Sequence, residues 1–171
     1  MNRTNEFSGR MPMDASERLL AIEEIKQLKG RYFRCMDTKD WAGLRTVFAD
    51  DAVFDARASL NVDGKGEAGR AAESNDWVYE GGDVITQFIV GAVETSRTVH
   101  HGHCHEIEIL SADTARGVIA MEDQIWDESG TVLTLHGCGH YHETYRKQDD
   151  QWRIQTSRIS RLYVSLGDQP D

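Results

Sequence analysis

Hydrophobic positions in the first part of the chain recur at the spacing of an α-helix. Asp14 and Glu17 have the spacing of a capping box, so the pattern predicts a helix from about residue 14 to Met36. The charged residues between the apolar positions, including Lys26 and Lys29, are expected on the solvent side. The apolar stripe consists of Leu19, Ile22, Ile25, Leu28, Tyr32 and Met36.

Two shorter helical segments follow, with a segment of no clear periodicity between them. Thr38 or Asp40 can cap a second helix, whose apolar face falls within residues 41–48. Residues 56–80 are rich in Gly, Ala, Asp and Glu and predict a long loop, and long loops in compact domains often bind ligands or cover sites. Asp83 is predicted to cap a third helix.

The rest of the chain alternates between apolar and polar residues, which is typical of strands. Short polar turns between four long runs predict antiparallel hairpins. Helices followed by a meander predict an α+β fold, in which N-terminal helices pack on one face of a strongly curved antiparallel sheet and enclose a cone-shaped pocket. The strands are expected at residues 52–54, 99–110, 115–126, 131–146 and 151–166.

The 171 residues suit one domain. We expect a flexible tail at 1–13, a single domain at 14–166 with a loop insertion at 56–80, and a short tail at 167–171. No apolar run approaches the roughly 18 residues of a membrane span. A formal net charge of −10 argues against nucleic acid, because phosphate binding requires a basic face. Three cysteines without metal-type spacing suggest reduced thiols in a cytoplasmic protein.

Asp37 ends the first predicted helix, on the side that faces the interior. A buried carboxylate is costly unless it is paired, and the partner we expect is a histidine. All seven histidines lie between His100 and His142. A carboxylate can fix the tautomer of an imidazole and raise the basicity of its other nitrogen. Tyr32 could then donate a hydrogen bond to a substrate oxygen, although a core tyrosine with a satisfied hydroxyl is the simpler interpretation.

The histidine-rich segment that begins the meander allows two interpretations. As a strand it places His101, His103 and His105 on one face and His100 on the other, and three imidazoles at this spacing can bind zinc or another divalent metal. His105 leads directly into the alternating apolar residues Ile107 and Ile109, so strict alternation would bury the whole cluster unless a β-bulge intervenes. Surface histidines with one pocket histidine are the alternative, and we expect neither a metal nor another cofactor.

Further candidate residues lie on inward-facing strand positions. Asp123 shares a face with Met121 and other apolar residues, where a desolvated carboxyl can stay neutral and donate a hydrogen bond. Alternatively, Asp123 bonds a backbone group and only holds the sheet. Tyr141 shares the face of two leucines. Arg161, in the last strand, could bind an anionic group of a substrate or pair with one of the excess acids.

Several of these segments occur in the order of a known family. The chain resembles the SnoaL-like branch of the nuclear-transport-factor-two-like (NTF2-like) superfamily over about residues 20–164. It is most similar to the bile-acid 7α-dehydratase family and more distantly to the scytalone dehydratase and hexachlorocyclohexane dehydrochlorinase families. The segments that carry the resemblance are residues 24–37, with the run Tyr-Phe-Arg-Cys-Met-Asp, then Trp41, residues 48–53, 100–103, 122–123 and 161–163.

The resemblance implies an NTF2-like cone and assigns roles by position. Asp37 would activate His100 as the general base, while Tyr32 and Asp123 would hydrogen-bond the substrate carbonyl or the departing hydroxyl. Arg161 corresponds to a pocket-lining arginine of the family. The further residues that we expect to bind substrate are Phe33, Met121 and Tyr141.

On this basis we expect a cofactor-independent lyase, a dehydratase that removes water from a cyclic or polycyclic hydroxy-ketone of steroid-like or polyketide-like type. A ketosteroid-type isomerase or a polyketide cyclase is an alternative within enzymes. A non-catalytic module that binds an apolar small molecule is an alternative of another class, because a fold does not determine function. The resemblance also implies a homo-oligomer, either a dimer or a trimer, and no membrane partner is expected.

Overall fold

The computed structural model describes residues 13–60, 62 and 76–167, in which helices pack against one curved, unclosed sheet of six strands. The described helices are α1 (Ala15–Asp37), α2 (Trp41–Arg45) and α3 (Gly82–Val93). The described strands are β1 (Phe48–Asp55), β2 (Val78–Glu80), β3 (Arg97–Ile109), β4 (Thr114–Trp126), β5 (Leu133–Gln148) and β6 (Gln151–Leu166). The predicted α+β, NTF2-like architecture is confirmed.

Helix α1 begins at the predicted capping box. The Asp14 carboxylate accepts a hydrogen bond from the Glu17 N–H, and the Glu17 carboxylate accepts one from the Asp14 N–H, both at 2.8 Å. Two orphan N–H groups of the first turn are thereby satisfied. The buried face largely follows the predicted stripe, but Leu19 is 67% exposed, which corrects its assignment to the buried face. The fully or almost fully buried apolar residues of the helix are Ala21, Ile25, Leu28, Tyr32, Phe33, Cys35 and Met36.

Helix α1 ends in a tight reversal of the Schellman type. The Asp40 N–H donates to the Cys35 carbonyl (2.8 Å) and the Lys39 N–H to the Met36 carbonyl (3.3 Å). Lys39 has a φ of 60°, a left-handed conformation that usually favours glycine. Its side chain compensates, because Nζ donates to the Val93 carbonyl at 2.8 Å. The reversal makes Asp37 the last helical residue and leaves its carboxylate beside the sheet.

The order of the sheet is β2-β1-β6-β5-β4-β3, with β2 and β3 at its edges. The antiparallel meander from β3 to β6 is as predicted. The predicted strand at residues 52–54 is longer and runs parallel to β6, so the sheet is mixed. Alternation over three residues could not indicate this pairing, since the partner strand lies about a hundred residues later.

Two further details differ from the predictions: the cap of α3, and residues 78–80, which form β2 at the end of the predicted loop. Helix α3 is preceded by Gly81, with a φ of 96°, as its N-cap, whereas Asp83 lies in the first turn and pairs with Arg45. Most of the predicted loop at 56–80 and nearly all of both predicted tails lie outside the described residues. At the end of that loop, Tyr79 stacks on Phe88 of α3, with ring centroids 3.9 Å apart.

None of the described helices has the length and apolar character that a membrane span requires.

A buried ion pair joins α1 to β5 through the core. The Lys29 Nζ lies 2.6 Å from Glu143 Oε1, and both side chains are fully buried, which corrects the expectation that Lys29 faces solvent. Glu143 also accepts hydrogen bonds from the hydroxyls of Tyr145 and Ser157. Burial lowers the pKa of Lys29, while the charge and the hydrogen bond of Glu143 act in the opposite direction. The ammonium group lies over the ring of Tyr141, 3.4 Å from its centroid.

The Lys29→Met substitution should lower the free energy of unfolding by roughly 3–5 kcal/mol, because it leaves Glu143 buried without its counter-charge. Lys26→Met is the matched control on the exposed face of the same helix, and it should change stability by no more than about 0.5 kcal/mol. Urea unfolding measures both. The double variant Lys29→Met/Glu143→Gln should lose less than the sum of its parts. Equal stability of Lys29→Met and the parent protein would contradict this account of the core.

Candidate active site

A β-bulge in β3 determines which histidines face the interior. The pairing of β3 with β4 changes register between Gly102 and His105. Before the bulge His100 is buried and His101 is exposed, whereas after it His105 shares the inward-facing side with Ile107 and Ile109. The β-bulge that would keep the whole histidine cluster from being buried is therefore present. It separates His105 from the outward-facing His101 and His103, so the three predicted metal ligands do not share a face.

His100 meets Asp37 where α1 crosses β3. The His100 Nδ1 lies 2.6 Å from Asp37 Oδ1, and the His100 backbone N–H donates to Asp37 Oδ2 at 3.0 Å. The Thr98 hydroxyl also donates to Oδ1, at 2.9 Å, and Lys39 Nζ donates to that hydroxyl at 3.3 Å. The predicted carboxylate–imidazole pair is present, and it belongs to a network that fixes both groups.

The charge state of Asp37 follows from these contacts. Burial raises the pKa of its carboxyl, but hydrogen bonds from His100 and Thr98 and the charge of the imidazole outweigh burial and leave the pKa below its ordinary value. An ionised Asp37 accepts a hydrogen bond from Nδ1–H, so the unprotonated nitrogen of a neutral His100 is Nε2. The arrangement therefore provides an oriented base.

An apolar cavity of about 360 Å³ lies beside this pair, within the usual range for small-molecule sites. Of the predicted site residues, Tyr32, His100, Asp123, Tyr141 and Arg161 line it. A larger hollow of about 800 Å³ is lined by other residues of β3 to β6, many of them charged, and includes none of the predicted site residues. The apolar part of the smaller cavity includes Met36, Phe54, Leu60, Trp77, Phe88, Ile89, Val93, Ile125, Leu135, Ile159 and Leu166.

Two tyrosines supply hydroxyl groups to the cavity. The rings of Tyr32 and Tyr141 meet edge to face, with centroids 5.9 Å apart. Burial raises the pKa of Tyr32, and a hydrogen bond with Tyr141 only partly opposes the effect. Burial likewise raises the pKa of Tyr141. Both hydroxyls therefore remain protonated at neutral pH and can act as hydrogen-bond donors.

Arg161 pairs with Asp123 at the cavity wall. The guanidinium donates from Nη1 to Oδ1 (2.7 Å) and from Nη2 to Oδ2 (2.8 Å), and both side chains are at least 93% buried. Both carboxylate oxygens of Asp123 therefore accept hydrogen bonds from the guanidinium. This corrects the expectation that Asp123 donates a hydrogen bond. Alternation indicated the face on which Asp123 lies but not its partner, which comes from a strand almost forty residues later.

Gly137 makes this pair sterically feasible. It lies opposite Asp123 in the register of β4 and β5. A Cβ atom at Gly137 would lie 2.5 Å from both Arg161 Nη1 and Asp123 Oδ1. We did not single out Gly137 from the sequence, although a glycine inside a strand often marks close approach of another group.

Phe33 and Met121 lie behind the cavity wall and are not among the residues that line it. The ring of Phe33 stacks on that of His100, with centroids 6.2 Å apart and planes at 11°. The Met121 sulfur lies 3.3 Å from Arg161 Nη1. Both residues were expected to bind substrate, but in the structure they support the side chains that line the cavity.

Comparison with protein families gives one match over most of the chain. A family model described as "SnoaL-like domain" matches residues 17–158. A relative from Gibberella zeae, named "Probable cyclase FGR4", is 27% identical over 149 residues, which cover 83% of this chain and 91% of the relative.

Solved structures show the same fold at low sequence identity. A candidate scytalone dehydratase from Novosphingobium aromaticivorans DSM 12444 has a TM-score of 0.72 and 15% identity, over 92% of this chain and 94% of that chain. Hexachlorocyclohexane dehydrochlorinase LinA-type3 from Novosphingobium barchaimii LL02 has a TM-score of 0.68 and 18% identity, over 90% of this chain and 94% of that chain.

The contribution of Asp37 to stability should depend on pH in a defined direction. Its pKa is lowered on folding, so its contribution is complete above the ordinary value of 3.8 and is lost as pH falls through the lowered value. Asp37→Asn should therefore cost roughly 1–2 kcal/mol at neutral pH, and the deficit should shrink in acid. Denaturant unfolding from pH 7 to pH 3 measures it, with the surface variant Glu94→Gln as control. A deficit that grows in acid would contradict the assignment.

Gly137→Ala should displace the Arg161–Asp123 pair, because the added methyl group needs the space that the pair occupies. We expect a loss of about 1–3 kcal/mol in the free energy of unfolding, as is typical of overpacking. Gly91→Ala in α3 is the matched control, since a Cβ there meets nothing within 4 Å, and it should be neutral or slightly stabilising. A fully stable Gly137→Ala would show that the pair is not held as described.

Proposed function

The chain belongs to the family of SnoaL-like domains, and from this premise we propose that it is a cofactor-independent lyase. The reaction proposed is dehydration of a cyclic or polycyclic hydroxy-ketone of steroid-like or polyketide-like type. The observation that carries the proposal is the 2.6 Å contact between Asp37 and His100 at the edge of an apolar cavity. A histidine held in this way is a general base, and the surrounding cavity suits a largely apolar ring system.

The base acts through the nitrogen that Asp37 leaves free. Nδ1 is taken by Asp37, so Nε2 is the ring nitrogen that can reach a substrate in the cavity. Nε2 removes a proton that is acidic because it lies α or vinylogous to a carbonyl. The positive charge that develops on the imidazole is stabilised by the ionised Asp37, as in other carboxylate–histidine pairs.

The carbonyl oxygen gains negative charge as this proton leaves. Tyr32 and Tyr141 line the same cavity as buried, protonated donors, and a hydroxyl that reaches the carbonyl oxygen stabilises the enolate. Collapse of the enolate expels the hydroxyl group, which takes a proton from the imidazolium and departs as water. The substrate thereby loses one hydrogen and one hydroxyl, and His100 returns to its neutral form.

Arg161 and Asp123 are proposed to orient the substrate rather than to exchange protons with it. The bidentate pair places a rigid polar group in an otherwise apolar wall. Such a group distinguishes a substrate that carries an oxygen at the matching position from a hydrocarbon of equal shape. Substrates in which that oxygen is replaced by hydrogen are expected to bind more weakly.

A cyclase is the second candidate, and the Gibberella zeae relative is the observation that favours it. Cyclisation by attack of an enolate on a second carbonyl begins with the same proton abstraction. It therefore needs the same base and the same donors. The two reactions differ in the product, since cyclisation or isomerisation without dehydration leaves the molecular mass unchanged.

The proposal is tested by incubating the protein with a panel of cyclic β-hydroxy-ketones and following product mass. The parent protein should form a product lighter by one water. His100→Ala should lower kcat/KM by about 10²–10⁴-fold, and Asp37→Asn should also lose most turnover, because each removes the oriented base. Far-ultraviolet circular dichroism checks that both variants are folded.

His101→Ala is the matched control, because His101 neighbours the base but faces outward. It should retain the activity of the parent. A product of unchanged mass would favour the cyclase or an isomerase. Full activity in His100→Ala would overturn the assignment of the base, and ligand binding without turnover that survives both substitutions would indicate a non-catalytic binding module.

A further inference from the structure

The outer face of the sheet carries a cluster of metal-binding residue types that the proposed reaction does not use. Glu122 of β4 and His136 and Cys138 of β5 each offer a ligand atom, and the three atoms lie within 4.8 Å of one another. Glu122 lies directly opposite Cys138 in the register of the two strands. The side chains of Glu122 and His136 are each about one-third exposed, so solutes can reach them.

The cluster is compact enough to close around an ion. His136 Nε2 lies 2.8 Å from Glu122 Oε1, and His103 Nε2 of β3 lies 3.9 Å from the other carboxylate oxygen. Ligands at zinc bond lengths on a tetrahedron lie roughly 3.3–3.8 Å apart, so modest side-chain rotations would bring the atoms of Glu122, His136 and Cys138 into place. The side chain of His103 is half exposed and would have to reorient to join them as the fourth ligand. The ring of Tyr163 contacts His136, with centroids 5.7 Å apart, and limits the rotation of that imidazole.

We propose that Glu122, His136 and Cys138, with His103 as the fourth ligand, form a binding site for a zinc-class divalent ion. One thiolate, two imidazoles and one carboxylate form a donor set that suits zinc. Calcium and magnesium prefer oxygen ligands throughout and do not match a site with a thiol. On binding, the ion displaces the proton of the Cys138 thiol, which is released to solvent, and the two imidazoles coordinate in their neutral form.

The position of the site indicates a structural role. Glu122 precedes Asp123 in β4, and His136 and Cys138 flank Gly137 in β5. The ion would therefore join the two strands directly behind the point where the Arg161–Asp123 pair lines the cavity. Because the ligands and the cavity lie on opposite faces of the sheet, the ion would not contact the substrate.

Cobalt(II) is the probe that tests the proposal, since it occupies zinc sites and reports its ligands by absorption. Titration of chelator-treated protein should give a thiolate-to-cobalt charge-transfer band in the near ultraviolet and the visible bands of a tetrahedral ion, saturating at one equivalent. Zinc should abolish both. Cys138→Ser should remove the charge-transfer band, and His136→Ala should weaken binding at least tenfold.

Two matched controls come from the same surface. Cys104 is the exposed cysteine of β3, and His142 is another histidine of β5 that bonds Ser160. Cys104→Ser and His142→Ala should titrate like the parent, whereas His103→Ala should bind more weakly and keep its charge-transfer band. Absence of the band in the parent, or its persistence in Cys138→Ser, would overturn the proposal.

A second measurement does not depend on the folding of Cys138→Ser. In the Cys104→Ser protein, Cys138 is the partly exposed thiol and Cys35 is buried. Zinc should slow alkylation of that thiol at least tenfold and raise the melting temperature, and both effects should disappear with excess chelator. An alkylation rate that does not change with zinc would also overturn the site.

Discussion

The contact between Asp37 and His100 is the constraint on which the site depends. A carboxylate at the inner end of a helix needs donors, and here the imidazole, a backbone N–H and the Thr98 hydroxyl supply three. Because one of these donors belongs to the backbone of β3, the contact holds the strand as well as the side chain. The Schellman reversal after Asp37 prevents the helix from continuing past the sheet. The same hydrogen bonds therefore orient the base and hold the end of the first helix against the sheet.

The interior of the cone also contains two ion pairs that are almost fully removed from water. Lys29–Glu143 lies against the ring of Tyr141, which lines the cavity, and Arg161–Asp123 lies in the cavity wall. Buried pairs of this kind contribute little net stability, since desolvation offsets most of the attraction, but removing one partner is costly. Each pair instead restricts how the surrounding side chains can be arranged, because a buried charged group must stay close to its partner. Tyr141 packs directly against the ammonium group of Lys29. The two tyrosines that supply the hydroxyl donors of the site therefore pack against the Lys29–Glu143 ion pair.

Periodicity and residue type were enough to predict much of this molecule, and the reasons for the rest are physical. Asp37 could be recognised because a carboxylate on an interior face requires a partner, and the histidines were confined to one stretch of the sequence. Alternation placed Asp123 on the inner face correctly. It could not identify Arg161 as the partner, because the register between strands is set by the whole meander. Lys29 was assigned to solvent because its type outweighed its position at the margin of the apolar stripe, and only a distant glutamate makes its burial tolerable.

The bulge in β3 has a consequence for how this strand can change. Before the bulge the even-numbered residues of β3, such as His100, face the interior, and after it the odd-numbered residues, such as His105, do so. The one extra residue in the bulge causes this change in alternation between the two halves of the strand. A deletion of one residue between Gly102 and His105 would remove the bulge and restore strict alternation along β3. Either His100 or the apolar residues Ile107 and Ile109 would then face outward. The length of this segment therefore determines which side chains of β3 face the interior, independent of which residue occupies the surplus position.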